Sequence, residues 1–231
     1  MKKVAIIQSN YIPWKGYFDI INEVDLFIFY DDVQFTKNDW RNRNKIKTQQ
    51  GIKWITIPVG KNITRLIHEV EIKETSWQKK HYKMFKQNYL KTPFYKKYND
   101  FLEHVYLENQ WKNLSDLNQY TIKTISKELL GMSTKFEDSR FYQITARKQD
   151  GVIDLLKKVK ASVYISGPSA KNYLEEQSFQ QEEIKLIWKD YSNYPEYPQF
   201  YPPFEHGVTI LDLLFHTGPD APYYIWGWRE Q

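Results

Sequence analysis

Short apolar runs separated by polar, aromatic loops set the rhythm of this chain. Residues 4–8 form an apolar run that closes on Gln8. Residues 17–24 then place Phe18, Ile21 and Val24 on one helical face behind Gly16, and residues 26–30 make a second apolar run. The succession predicts a strand, a helix and a strand, with the strands parallel and the crossover right-handed. On either side of Thr48-Gln-Gln-Gly51, the segments 45–47 and 53–59 predict a hairpin. Ile55, Ile57 and Val59 alternate there with Trp54, Thr56 and Pro58, so one face should be covered.

The middle of the chain changes period. Trp77, His81, Met84, Phe85 and Tyr89 form a stripe facing away from Lys79, Lys80, Lys83 and Lys86, which predicts an amphipathic helix ended by Pro93. Further helices are predicted over 94–107 and through Leu114, Leu117, Ile122, Ile125 and Leu129 to a stop at Gly131. The α/β rhythm then returns. Val152, Leu155, Leu156 and Val159 predict a helix, 162–166 a strand, Gly167-Pro168 onward through Tyr173 and Leu174 a helix, and 183–188 a strand. Residues 191–207 hold four prolines and six aromatic rings, too much proline for regular structure but too many rings for a disordered tail.

These elements add up to one α/β domain over 1–231. Its core is a Rossmann-like, mostly parallel sheet from 1–70 and 132–190 with an added β-hairpin. A helical insert at 75–131 and an irregular aromatic C-terminal cap at 191–231 complete it. The pattern leaves open whether the helical stretch is an insert or a domain of its own.

Composition narrows the function classes. The chain has 231 residues, 41% of them hydrophobic, enough to bury a sizeable core. No apolar run approaches the ~20 residues of a membrane span, and only a short apolar stretch follows Met1-Lys2-Lys3, so neither a spanning segment nor a leader is expected. The absence of cysteine excludes disulfides and thiolate metal sites and fits a cytoplasmic location. The histidines, at 68, 81, 104, 206 and 216, are dispersed, and no phosphate-loop, dinucleotide or nucleophile-elbow motif occurs; neither a metal nor a cofactor is expected. Residues 37–97 carry sixteen Lys and Arg against four acids, a net +12 against −7 for the remainder. That imbalance points to an anionic partner: phosphate, nucleotide or nucleic acid.

The candidate chemistry gathers at strand ends. Gln8, Ser9, Asn10, Tyr11 and Lys15 follow the first strand; Asp31, Asp32 and Gln34 follow the second; Ser166 and Gly167 follow the later one. In a parallel sheet these groups meet at the carboxyl edge, where open α/β folds bind ligands. Helices opening after Gly16 and after Gly167 would aim N–H groups there, an arrangement that favours phosphate. Pro13 stiffens the first loop, Gly16 permits close approach, Lys15 supplies a point charge, and Tyr11 and Trp14 can cover a sugar or base face. Arg41, Arg43 and Lys45 are expected to clamp a diphosphate, since guanidiniums meet phosphate oxygens bidentately. Asn44 and Tyr173 complete the expected binding set. The candidate proton acceptors, in falling order, are Asp32, Asp31, His68 and His81. His81 comes last because it lies on an apolar helix face. The same aspartates would serve equally well to hold their loop, and Ser166 to cap a helix.

The order of these residues is itself familiar. QSNYIPWKGYFDIINEVDLFIFYDDVQFTKNDWRNRNKIKTQQGIKWITIPV, from Gln8 onward, closely resembles the opening of the WbqC-like family, found in gene clusters for O-antigen and related surface polysaccharides. The likeness continues through IHEVEI at 67–72, WQKKHYKMFKQNY at 77–89, YISGPSAKNYL at 164–174 and TILDLLFHTG at 209–218. It implies a transferase that modifies a nucleotide-linked amino sugar, adding an aminoacyl group such as glycine, or a related acyl group, to the sugar amine. The implied partners are that nucleotide sugar and an activated acyl donor, carried as an adenylate, on a carrier protein or on tRNA. The strand, Pro-x-x-Gly loop, helix and strand are also similar in layout to the nucleotidyltransferase superfamily, whose members place two histidines at the helix start. Trp14-Lys15-Gly16-Tyr17 has none, so adenylyl transfer by such a pair is not expected.

The alternative is a regulatory or nucleic-acid-binding module using the basic 37–97 segment. Its cations alternate with apolar hairpin positions and show no groove-reading helical spacing, so no specific nucleic acid is expected.

Overall fold

The apolar run Lys3–Ile7 is β1 of a computed structural model that describes residues 1–230. After α1 (Lys15–Glu23), β2 (Leu26–Phe29) pairs in parallel with β1, Val4 opposite Leu26 and Ile7 opposite Phe29. Both strands are covered on both faces, which is why their sequences are continuously apolar rather than alternating. β3 (Arg43–Thr48) and β4 (Gly51–Thr56) form the expected hairpin as a separate two-stranded sheet, with Ile46 and Ile55 on its covered face.

Three helices follow: α2 (Ser76–Tyr89), α3 (Tyr95–Glu103) and α4 (Leu114–Thr124). The last two run on into wider π-type turns, His104–Glu108 and Ile125–Leu129, which accounts for the full length of the predicted helices. Asn113 caps α4, its side chain accepting from the Asp116 N–H at 3.1 Å.

β5 (Lys135–Asp138) pairs in parallel outside β2 and is not predicted by the apolar pattern, because Phe136 is its single apolar residue. α5 (Lys148–Lys158) then leads to β6 (Val163–Ser166), which lies against the other side of β1. The helix expected from Gly167 through Leu174 is instead a 3-10 stretch, Pro168–Asn172, followed after a break by the short α6 (Glu176–Gln181). β7 (Lys185–Trp188) completes the sheet.

The sheet is parallel throughout, in the order β5-β2-β1-β6-β7. From β1 the chain winds outward to β2 and β5, then returns to β6 and winds the other way to β7. The winding therefore reverses between β1 and β6, and their carboxyl ends form the topological switch point.

One cluster of buried side chains joins Ala5, Phe27 and Phe29 of the sheet to Trp77, Phe85 and Tyr106 of the helical stretch and to Phe215. A second cluster, including Ile28, Leu156 and Phe179, fills the opposite face of the sheet. Each fully buried Phe contributes roughly 1.5–3 kcal/mol of transfer free energy, so much of the aromatic content is core. The proline-rich stretch is ordered. Asp212, in α7 (Ile210–Thr217), accepts from the hydroxyls of Tyr89 at 2.8 Å and Tyr197 at 2.7 Å and from Gln199 Nε2 at 2.8 Å. Among the described residues, no helix is long and apolar enough to cross a membrane.

Candidate functional site

At the switch point, Gln8 and Asn10 beyond β1, Ser166 at the end of β6 and Gly167 beyond it line a single cavity of about 790 Å³. Trp14, Tyr17, Tyr30, Tyr173 and Tyr191 contribute aromatic walls, and Lys148, at the N-terminus of α5, also lines it. The Tyr17 hydroxyl donates to the Gln8 carbonyl at 3.0 Å, bracing the loop as it leaves β1. Burial, and then the charge of Asp32, push the Tyr30 phenol up to about 12. Burial likewise raises Tyr17 and Tyr191. These phenols therefore stay protonated near neutrality; Tyr30 and Tyr191 present hydrogen-bond donors as well as ring faces, whereas the hydroxyl of Tyr17 is spent on Gln8.

Arg41 lies outside the crevice lining and bonds to two residues of its wall. Its Nη1 donates to Asn10 Oδ1 at 2.6 Å and its Nη2 to Gln8 Oε1 at 3.3 Å. Asp39 is 3.8 Å away, and Nε is buried without a partner. The charge of Arg41 also acts on Tyr173, partly offsetting the rise that burial imposes on that phenol. Because Gln8 and Asn10 spend their carbonyl oxygens on the guanidinium, their NH₂ groups are the ends left to meet a ligand. The Arg41 backbone is anchored in turn, its carbonyl accepting from Asn118 Nδ2 at 2.8 Å.

A buried polar layer from α4 supports this edge. Asp31 accepts from the Ser9 N–H at 2.8 Å, from the Ser115 hydroxyl, and weakly from Gln119 Nε2 at 3.4 Å. The Asp31 carbonyl accepts from the His68 N–H at 3.0 Å and lies 3.0 Å from His68 Nδ1. Gln119 Nε2 also reaches Asp138, at the end of β5, at 2.7 Å. Ser115, Asn118 and Gln119 are separated by three and one residues, a polar stripe on one face of a buried helix. Polar residues at i, i+3 and i+4 on an otherwise apolar helix are the signal that could have found them, and the apolar pattern alone passed over it. Tyr17, Tyr30, Tyr191 and Lys148 carried no signal distinguishing them from other aromatics and lysines.

Several expected site residues lie elsewhere. Tyr11 is fully buried, its hydroxyl 2.9 Å from His81 Nδ1 and 2.6 Å from the Tyr106 hydroxyl, so it covers no ligand. Burial, with Lys80 nearby, pushes His81 down to about 4, which makes it a neutral core histidine at pH 7. Lys15 is buried and turned into the aromatic cap, where Nζ donates to the Pro195 carbonyl at 3.2 Å and sits 4.8 Å from the Tyr194 ring centre. Burial lowers its pKa to about 8. Gly16 makes room for the Trp14 indole rather than for a phosphate, since a Cβ there would lie 2.3 Å from that ring. Asn44 is buried, donating to the carbonyls of Tyr11 at 2.9 Å and Ile12 at 2.7 Å. Gln34 is exposed and donates to the Ile63 carbonyl at 3.0 Å, outside the crevice lining.

The expected three-cation clamp is divided. Arg41 bonds to Gln8 and Asn10, whereas Arg43 stacks on Trp54 at 4.1 Å and Lys45 lies 5.5 Å from the Trp54 ring and 5.8 Å from that of Trp40. The helix expected to aim N–H groups from Gly167 is absent, leaving α1 and α5 as the helices that open at this edge. Among the candidate bases, Asp31 is saturated and His68 is bonded to backbone. Asp32 is half-buried, accepts from the Ser139 hydroxyl, and sits close enough to Tyr30 to raise its pKa.

A parallel sheet with an aromatic-walled crevice at its switch point is the arrangement in which open α/β folds hold ligands. The chain belongs to the WbqC-like protein family, whose signature matches residues 8–224. It is 45% identical over 227 residues to the uncharacterized protein Rv1507c of Mycobacterium tuberculosis (strain ATCC 25618 / H37Rv), an alignment spanning 97% of this chain and 98% of that one. No solved structure matches the chain significantly.

Proposed function

We propose that this protein is a transferase that binds a nucleotide-linked amino sugar in the switch-point crevice and adds an aminoacyl or related acyl group to the sugar amine. In this reading it serves O-antigen or related surface-polysaccharide synthesis in the cytoplasm. The observation that carries the binding half is the charge of Arg41, held against the crevice wall by Gln8 and Asn10 at the carboxyl edge. A diphosphate offers that guanidinium charged acceptors. The amide NH₂ groups and neutral phenols then suit sugar hydroxyls, and the indole of Trp14 suits a ring face.

The transfer half follows from the family's implied chemistry. The amine nitrogen attacks the acyl carbonyl carbon, a C–N bond forms, and the bond from the acyl group to its carrier breaks. The amine must also give up a proton, and Asp32, whose charge acts on the crevice-lining Tyr30, is our candidate to accept it.

Thermal unfolding with a panel of ligands tests the reading, because a ligand selective for the native state raises apparent stability by mass action. A thymidine- or uridine-linked sugar should stabilise the chain more than its free nucleoside diphosphate, and more than duplex DNA or RNA of equal phosphate content. Preferred binding of nucleic acid with a steep salt dependence would overturn the reading in favour of a basic binding module. So would a complete absence of nucleotide-sugar stabilisation.

A further inference from the structure

The β3–β4 hairpin carries a surface that the crevice does not use. Lys45 of β3 pairs directly with Trp54 of β4, and Arg43 with Thr56. Directly opposed residues of an antiparallel pair share a face, so Arg43, Lys45 and Trp54 project together. Trp40, from the preceding loop, joins them, its ring 5.2 Å from that of Trp54 at an interplanar angle of 38°. Both indoles are open to solvent, at 41% for Trp40 and 39% for Trp54.

Lys47, the third cation of this face, is buried and donates to the Pro203 carbonyl, whereas Arg43 and Lys45 have no charged partner. Among the described residues, neither Arg43 nor Lys45 takes part in an ion pair, and Arg43 Nε is buried without a hydrogen bond. The carboxylate whose pKa responds to Arg43, Asp39, is engaged by the Thr36 hydroxyl at 2.5 Å, the Trp40 N–H at 2.7 Å and Arg41 at 3.8 Å. A neutral sugar would use the indoles and leave both cations idle. A nucleoside phosphate uses both, with its base on an exposed ring and its phosphate on Arg43 and Lys45.

The platform also adjoins the crevice. Trp40 and Lys45 line a smaller cavity of about 280 Å³ together with Asn10 and Trp14, and those last two residues line the crevice as well. A ligand seated on the hairpin therefore has its far end against the wall of the nucleotide-sugar site.

We infer that Trp40, Trp54, Arg43 and Lys45 form a second subsite that holds the adenosine phosphate of the activated acyl donor. The identity of the ligand as acyl donor rests on the transferase reading; the binding of a nucleoside phosphate to this face does not. An acyl adenylate and the 3′ end of an aminoacyl-tRNA share that adenosine phosphate. A carrier protein presents none to this surface.

The test uses the full chain and two separate titrations. AMP and a short single-stranded RNA ending in CCA probe the hairpin, and a nucleotide sugar probes the crevice, each followed by calorimetry. Trp54→Ala and Arg43→Ala should each weaken AMP binding tenfold or more and leave the nucleotide sugar unaffected. Arg41→Ala should do the reverse. Tighter binding of the RNA than of AMP, abolished when its terminal adenosine is removed, supports the subsite and assigns the donor to tRNA; tighter binding of AMP supports it and assigns an adenylate. The inference is overturned if neither probe binds, as a carrier-protein donor would require, or if Trp54→Ala and Arg43→Ala leave AMP affinity unchanged. It is also overturned if RNA binds without regard to its terminal adenosine. Melting curves on both hairpin variants separate a lost subsite from a lost fold. Failure of the nucleotide-sugar titration alone would remove the transferase reading while leaving the nucleoside-phosphate site standing.

Discussion

The carboxylate of Asp31 accepts a hydrogen bond from the backbone N–H of Ser9 at 2.8 Å, tying the loop after β2 to the loop after β1. The Ser115 hydroxyl bonds to the same carboxylate, so α4 is locked to both strand ends. Asp31 is buried and saturated, and its role is to hold the crevice in shape. Asp31→Ala would orphan two buried donors, and hydrogen bonds to charged groups are worth ~1.5–3 kcal/mol each. Chemical denaturation should therefore show a loss of about 3 kcal/mol. A variant of wild-type stability that had lost turnover would instead return Asp31 to the candidate bases.

Arg41 is the residue on which nucleotide-sugar binding depends in the proposed reading. Arg41→Ala should weaken that binding by ~1.5–3 kcal/mol, the range for a charge-assisted hydrogen bond. Arg41→Lys should restore only part of it, because lysine keeps the charge but loses the planar fork that reaches Gln8 and Asn10. Titration calorimetry on both variants checks this, and equal affinity in all three proteins would remove Arg41 from the site.

Asp32 separates chemistry from binding. Asp32→Asn preserves shape and removes basicity, so turnover should fall roughly 10²–10⁴-fold, as loss of a general base typically causes. Nucleotide-sugar affinity and melting temperature should change far less. If affinity and stability fall together while turnover per bound substrate holds, Asp32 serves only to bind Ser139 and fix the loop.

His81 makes stability depend on pH. Burial holds it down to about 4 in the folded chain, against ~6.5 when unfolded. Between those values the unfolded chain binds a proton that the native chain refuses. The stability associated with neutral His81 is therefore complete above about pH 6.5 and declines as pH falls toward 4, by up to about 3 kcal/mol. His81→Phe cannot titrate. Its denaturation free energy, measured from pH 7 to 4, should fall less steeply than that of the wild type; parallel curves would place the titration elsewhere.

Much of the architecture was legible because burial imposes a period. Strands covered on both faces must be continuously apolar, and β1, β2 and β6 announced themselves that way; the hairpin showed its turn and its alternation. β5 stayed hidden because it lies at the sheet edge with one apolar residue, and its backbone hydrogen bonds to β2 define it more than its side chains do. The strand ends pointed to a crevice at the carboxyl edge, and Gln8, Asn10, Trp14, Ser166, Gly167 and Tyr173 do line one.

The direction each loop side chain takes was decided by tertiary contacts. A loop has no period, so a polar or aromatic residue in it turns toward whichever distant partner satisfies it. Tyr11 finds His81 and Tyr106, Lys15 finds the Pro195 carbonyl, and Arg43 finds the face of Trp54. The sequence by itself determined that a parallel α/β sheet would present polar groups along one edge, because strand and helix periods follow from local geometry. Which of those groups face the crevice, and which are spent on holding it in shape, depended on hydrogen bonds and packing between segments up to 180 residues apart, and only the folded chain brings those segments together.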